Sequence, residues 1–224
     1  KIDMITLNNI KKTFRSKGNK VEALKGVTLT LPDNGIVILL GESGSGKSTL
    51  LNALGGLDSY EGSIDYGTER AHGDSINKFD EYRRLNVGYI FQDFYLNDDL
   101  SVVDNIRQGL QIVGITEEAE VKKRTNQALF AVSMSLFKKR LCSQLSLGQK
   151  QRIAIARSLA INPKIILADE PTGNLDSKNS QQIMRILKKI SSNMLVVIVS
   201  HNESLAREYA DYIYRIADGS IIKE

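Results

Sequence analysis

The stretch GESGSGKST, residues 41–49, follows the apolar run GIVILL and precedes LLNALGGL, so a strand, a glycine-rich loop and a helix surround the pattern G-x-x-x-x-G-K-[ST]. A backbone bare of side chains at Gly41, Gly44 and Gly46 can turn its N–H groups onto phosphate oxygens, assisted by the positive end of the following helix. The chemistry is nucleotide binding through phosphates. Lys47 is placed to reach the β- and γ-phosphates and Ser48 to ligate Mg2+, with Glu42, Ser43, Ser45 and Thr49 completing the ATP-binding loop.

Asp169 and Glu170 end the apolar run IILADE, where open α/β sheets collect their ligands. Alone, such a pair reads as a solvated loop start; beside a phosphate loop, Asp169 is expected to hold Mg2+ and Glu170 to polarise an attacking water. His201 follows LVVIVS at another strand end and is a candidate for a γ-phosphate hydrogen bond. Gln92 ends NVGYIF, and its amide oxygen can touch Mg2+ or the attacking water. Phe14, at the end of the first strand, is either core or a ring for stacking on a base. His72 sits in the polar stretch GTERAHGDS and reads as a surface residue. In LSLGQKQR, residues 145–152, Ser146 followed three positions later by Gln149 fits a capping box at the start of a helix.

These groups need a sheet to bring them to one edge. GIVILL, NVGYIF (86–91), KIILAD (164–169) and MLVVIVS (194–200) are short apolar runs separated by helical patterns, which predicts a parallel α/β sheet. Residues 4–14 and 21–31 alternate around a Gly18/Asn19 turn signal and predict an antiparallel pair, and Asp218-Gly219 predicts a C-terminal hairpin. Between Asp93 and Asn162 helix starts take over, at Ser101 and at Thr116, and a further amphipathic helix is expected over 179–190. The fold class is therefore α/β: a P-loop NTPase core with a mainly parallel sheet, an N-terminal antiparallel β subdomain and an inserted α-helical subdomain.

Composition narrows the class. The 224 residues are 42% hydrophobic, enough for a sizeable core, and 30 Lys+Arg against 26 Asp+Glu give a mild net charge of +4 that identifies no partner. No apolar run approaches the length needed to cross a bilayer. A single cysteine, Cys142, and two histidines provide neither an internal disulfide nor a metal cluster, and a cytosolic setting is the simplest reading.

Taken together, these residues resemble the nucleotide-binding domain of ABC transporters over essentially the whole chain. GESGSGKST is similar to its Walker A, Gln92 to its Q-loop, LSLGQ to its signature, IILADE to its Walker B, GNLD to its D-loop and His201 to its switch histidine. FQDFYLNDDLSVVDNI and ADEPTGNLDS look most like the branch of macrolide, lipoprotein and antimicrobial-peptide exporters. The resemblance implies one ABC ATPase domain over 1–224, with a RecA-like core at about 1–92 and 163–224 and a helical subdomain at about 93–162. It implies that ATP is hydrolysed with Mg2+ held by Ser48, Gln92 and Asp169, with Lys47, Glu170 and His201 as the catalytic group.

It further implies a head-to-tail homodimer in which Ser146, Gly148 and Gln149 bind the γ-phosphate of the partner's ATP and Asp176 lines the seam. The isolated chain is expected either to dimerise on ATP or to stay monomeric until its membrane scaffold is present. The other implied partner is a transmembrane permease, separate or fused, with no nucleic acid, placing the chain peripherally on the cytoplasmic face of the membrane; Tyr95 to Asp104 is the candidate contact. Two residues depart from the family pattern: Leu147 stands where the signature usually has Gly, and a β-carbon there would crowd a phosphate or exclude a positive φ; Phe14 stands where the family often has Tyr, which keeps stacking and removes a hydroxyl. The alternative function is a non-transporting cassette of the cell-division kind acting on a membrane partner. A DNA-repair ATPase would need a long coiled coil where only about a hundred residues (50–144) lie, and a small-molecule P-loop kinase has no use for LSLGQ or His201.

Overall fold

The computed structural model describes residues 4–16, 19–67, 70–73 and 79–222. Strands β1 (Ile5–Ser16) and β2 (Asn19–Leu31) pair antiparallel, from Ile5 opposite Leu31 to Ser16 opposite Asn19. This is the pair the alternation predicts; Gly18 of its turn lies outside the described residues. Strands β4 (Glu61–Asp65) and β5 (Arg70–His72) extend it to a four-stranded sheet in the order β2-β1-β4-β5.

The second sheet holds β3 (Gly35–Leu40), β6 (Val87–Ile90), β7 (Ile165–Asp169), β8 (Leu195–Ser200), β9 (Tyr212–Ala217) and β10 (Ser220–Ile222). Its order is β10-β9-β3-β8-β7-β6, parallel throughout except for the terminal hairpin β9–β10. That hairpin turns where expected, with Asp218 at φ 46° and Gly219 at φ 73°.

The apolar runs are continuous because both faces of this sheet are covered, and successive side chains alternate between them. Ile36, Ile38 and Leu40 of β3 join a core with Ile106, Leu110, Ile153 and Leu187 from helices, whereas Val37 and Leu39 join a second core with Leu7, Ile10, Leu24 and Leu51. The antiparallel sheet thus lies over one face together with the helix that carries Leu51, and other helices cover the opposite face. Each such buried side chain contributes roughly 1.5–3 kcal/mol, so the strand ends are held firmly in register.

Helix α1 (Lys47–Leu54) follows the glycine-rich loop, and α2 (Asp80–Asn86) precedes β6. Helices α3 (Val102–Ile112), α4 (Glu118–Ala131) and α5 (Leu147–Ala160) all fall between β6 and β7; α6 (Ser177–Ile190) and α7 (Glu203–Tyr209) follow β7 and β8. Ser101 caps α3 as expected, its hydroxyl accepting from the Asp104 amide. The cap of α4 corrects an expectation: it is Glu117 in place of Thr116, because the longer carboxylate reaches two orphan amides, accepting from Ala119 N at 3.0 Å and Glu120 N at 2.8 Å.

Candidate active site

Parallel strands deliver their C-terminal ends to one edge, and there the loop after β3 meets residues that follow β6, β7 and β8. The loop enters α1 through Gly46, which holds φ 104° as the N-cap, and a β-carbon on it would stand 2.5 Å from the carbonyl oxygen of Ala23 in β2. Only glycine satisfies both the left-handed backbone and this approach. Lys47 is 5% exposed; its Nζ donates to the main-chain oxygen of Glu42 at 2.6 Å and forms no ion pair among the described residues.

Ser48 Oγ donates to Oδ1 of Asp169 at 3.0 Å, linking α1 to the end of β7. Burial pushes the Asp169 carboxyl above the ordinary aspartate range, against the Ser48 hydrogen bond and the Lys47 charge, both of which lower it. Glu170 follows with φ 45°, a conformation that costs a non-glycine residue free energy and persists when its surroundings enforce it. Its amide donates to Val199 O at 3.1 Å, and its Oε1 lies 2.9 Å from Nδ1 of His201. Gln92 is tied to the loop after β7: its Nε2 donates to Asn174 Oδ1 at 3.3 Å, and Asn174 Nδ2 donates back to the Gln92 carbonyl at 3.2 Å.

A cleft of about 710 Å³ opens between these groups, lined by the loop from Glu42 to Thr49 except Ser45, together with Gln92, Asp169, Glu170 and His201. Gly41 and Ser45 turn to the opposite side of the loop, against a smaller hollow beside Arg215 and Ile216. Phe14 is 45% exposed on β1 with Lys12 Nζ 5.2 Å from its ring centre, and it does not line the cleft. Among the described residues no three His, Cys, Asp or Glu side chains cluster as a metal cage. Ser48 and a partly buried Asp169 nevertheless fit Mg2+, which characteristically takes one or two protein oxygens plus substrate phosphates.

Ser146, Gly148, Gln149 and Asp176 lie outside this cleft. The capping box is present at Ser146: its Oγ accepts from Gln149 N at 3.3 Å, and Gln149 Oε1 accepts from Ser146 N at 3.0 Å. Leu147 is the first residue of α5, with no positive φ and a side chain 53% exposed, so leucine strains nothing in the backbone here. Gly148 is buried, and a β-carbon on it would stand 2.5 Å from Oδ1 of Asn179. Asp176 caps α6 and grips that asparagine twice, accepting from Asn179 N at 2.8 Å and from Asn179 Nδ2 at 2.7 Å.

The family profile that matches residues 24–173 is that of the ABC transporter. The chain belongs to this family. It is similar to the lipoprotein-releasing system ATP-binding protein LolD of Francisella tularensis, 37% identical over 221 residues covering 97% of this chain and 95% of LolD. It is 37% identical over 227 residues to the macrolide export ATP-binding/permease protein MacB of Chlorobaculum tepidum, covering 99% of this chain and 34% of MacB. A solved dimeric structure of the ATP-binding cassette MJ0796, in a post-hydrolysis state bound to ADP and Pi, superimposes with a TM-score of 0.86 at 36% identity, over 98% of this chain and 97% of that one. The chain is accordingly an ABC-family ATPase.

Asn174 lies inside GNLD, but nothing in a one-dimensional pattern announces its exchange of hydrogen bonds with a residue 82 positions away. Ala23 and Gly173, which also line the cleft, carry no chemical signal of their own.

Proposed function

We propose that this chain is the ATP-binding subunit or domain of an export-type ABC transporter, hydrolysing ATP with Mg2+ in a head-to-tail homodimer to drive transport or extraction through a membrane partner. The observation that carries the reading is the meeting of Lys47, Ser48, Asp169, Glu170 and His201 in one cleft. Lys47 and the loop amides stabilise charge on the transferred phosphoryl group, Glu170 takes the proton of the attacking water, and His201 hydrogen-bonds the γ-phosphate. Magnesium, when bound through Ser48, Gln92 and Asp169, supplies neutralisation of phosphate charge.

The head-to-tail arrangement is supported by what the cleft leaves out. Ser146 is exposed and Gln149 half-buried at a helix N-terminus suited to an anion, yet they do not line the chain's own site. A second copy presenting this end to the cleft would complete it, with Asp176 at the seam. The division at about 93–162 into a helical lobe and a core belongs to the same reading, as does peripheral attachment at the cytoplasmic face of the membrane. No described helix is long and apolar enough to cross a membrane. A groove of about 610 Å³, lined among others by Leu57, Arg84, Tyr89, Phe91, Tyr95 and Ile112, supports docking of the permease beside Gln92.

The test is the solution mass of Glu170→Gln with and without ATP. The expected outcome is ATP binding with turnover reduced about 10²-fold to 10⁴-fold and a doubling of mass that Ser146→Arg abolishes. Wild-type turnover in Glu170→Gln would remove that residue from its role, and a dimer indifferent to Ser146→Arg would overturn the head-to-tail arrangement.

A further inference from the structure

Gln151 of α5 is fully buried. Its Nε2 donates to the main-chain oxygen of Pro171 at 2.7 Å, while its Oε1 is buried with no hydrogen-bond partner among the described residues. A methionine would occupy similar space without a desolvated acceptor, so stability alone does not account for an amide here. What the amide does is hold one particular carbonyl, that of the residue following Glu170.

That peptide is unusual in two ways. Glu170 sits at φ 45°, and Pro171 has no N–H with which to anchor itself. The remaining main-chain bonds at Glu170 come from the sheet and from the turn itself: Glu170 N to Val199 O at 3.1 Å, and Gly173 N to Glu170 O at 3.0 Å. The Gln151 bond comes from α5. The segment bearing the Glu170 carboxylate is thus fixed from β8 on one side and from α5 on the other.

Helix α5 is also fastened to the segment beyond Gln92. Lys150 pairs with Asp98 at 2.7 Å, and Arg157 donates through Nη2 to Phe94 O at 2.8 Å and through Nη1 to Tyr95 O. One rigid helix therefore joins three places: the Ser146 end, the 94–98 segment, and the peptide after Glu170. We propose that Gln151 is a positioning residue for hydrolysis, making the orientation of the Glu170 carboxylate depend on where α5 stands, and so on what engages its Ser146 end and the 94–98 segment. This rests on the reading that Glu170 acts on the attacking water.

The experiment compares Gln151→Met with wild type in phosphate release, ATP binding and thermal melting, with Glu170→Gln run alongside. The expected result is a kcat lowered about 10-fold to 10²-fold, as for a small misplacement of a reacting group, with an unchanged KM for ATP and a Tm equal to or above that of wild type. Should Gln151→Met fail to fold, Gln151→Leu is measured by the same criteria. An unchanged kcat overturns the proposal, and so does a kcat that falls only in company with Tm and ATP affinity, which marks a merely structural residue. If Glu170→Gln itself turns over normally, the reading of Glu170 has failed; if Glu170→Gln is inactive and Gln151→Met is wild type, the Gln151 proposal alone falls.

Discussion

Nδ1 of His201 stands 2.9 Å from Oε1 of Glu170, although the two residues follow different strands, β8 and β7. The contact steadies the carboxylate, and in the proposed function the ring also reaches a phosphate oxygen. His201→Ala removes both effects. Its kcat is expected to fall by about 10²-fold or more with ATP still bound, measured by phosphate release and by nucleotide titration. Wild-type turnover in this variant would show that neither effect matters to the reaction.

Gly148 carries a structural duty within its own chain. A β-carbon 2.5 Å from Asn179 Oδ1 has nowhere to go, because Asp176 holds that asparagine through both its main-chain and side-chain nitrogens. Gly148→Ala should destabilise the nucleotide-free chain by about 1–3 kcal/mol as an overpacking change, lowering Tm by about 2–4 °C per kcal/mol. Adding Asn179→Ala should recover part of that loss, because the two sites touch. Thermal melts of the single and double variants decide it; strict additivity would mean that the clash is relieved elsewhere.

Asp169 predicts a gain in stability on replacing a residue to which the proposed function gives a part in holding Mg2+. Its folded-state pKa is raised, chiefly by burial, above the usual 3.8, so the folded chain binds that proton more tightly than the unfolded chain does. The associated stability is present below the unfolded pKa and is lost as pH rises through the folded one. Asp169→Asn, which keeps an acceptor for Ser48, should therefore melt higher than wild type at pH 7 without nucleotide, and the advantage should shrink as the pH is lowered toward 3.8 and below. Calorimetry over that range tests it, and an Asn variant that melts lower at pH 7 would contradict the assignment.

Much of this was legible in the sequence for identifiable reasons. GIVILL, IILA and LVVIV run apolar without a break because their sheet is covered on both faces, and Ser146 and Asp218-Gly219 act through neighbours one to three residues away. Local rules capture local causes. Strand β5 escaped notice because three residues, Arg70 to His72, carry no period and owe their pairing to Ser63 to Asp65 in β4. Helix α7 is short and rests on its Asn202 cap. Asn174 and Gln151 stayed hidden for a different reason: their partners, Gln92 and Pro171, are distant in sequence, and amides look like any solvated polar residue until folding fixes them. The placement of Thr116 as a cap failed because a glutamate one position later had the greater reach.

The order β3-β8-β7 puts one strand between the strand that leads to Lys47 and the strand that ends at Asp169. Neighbouring strands lie about 4.8 Å apart, so roughly 10 Å separates the two strand axes at this edge. The Ser48–Asp169 hydrogen bond of 3.0 Å closes that width by side chains alone. The sheet is in this sense a spacer: β8 holds the loop strand and the acid strand apart by a fixed amount, and contact between them is left to the residues at their ends.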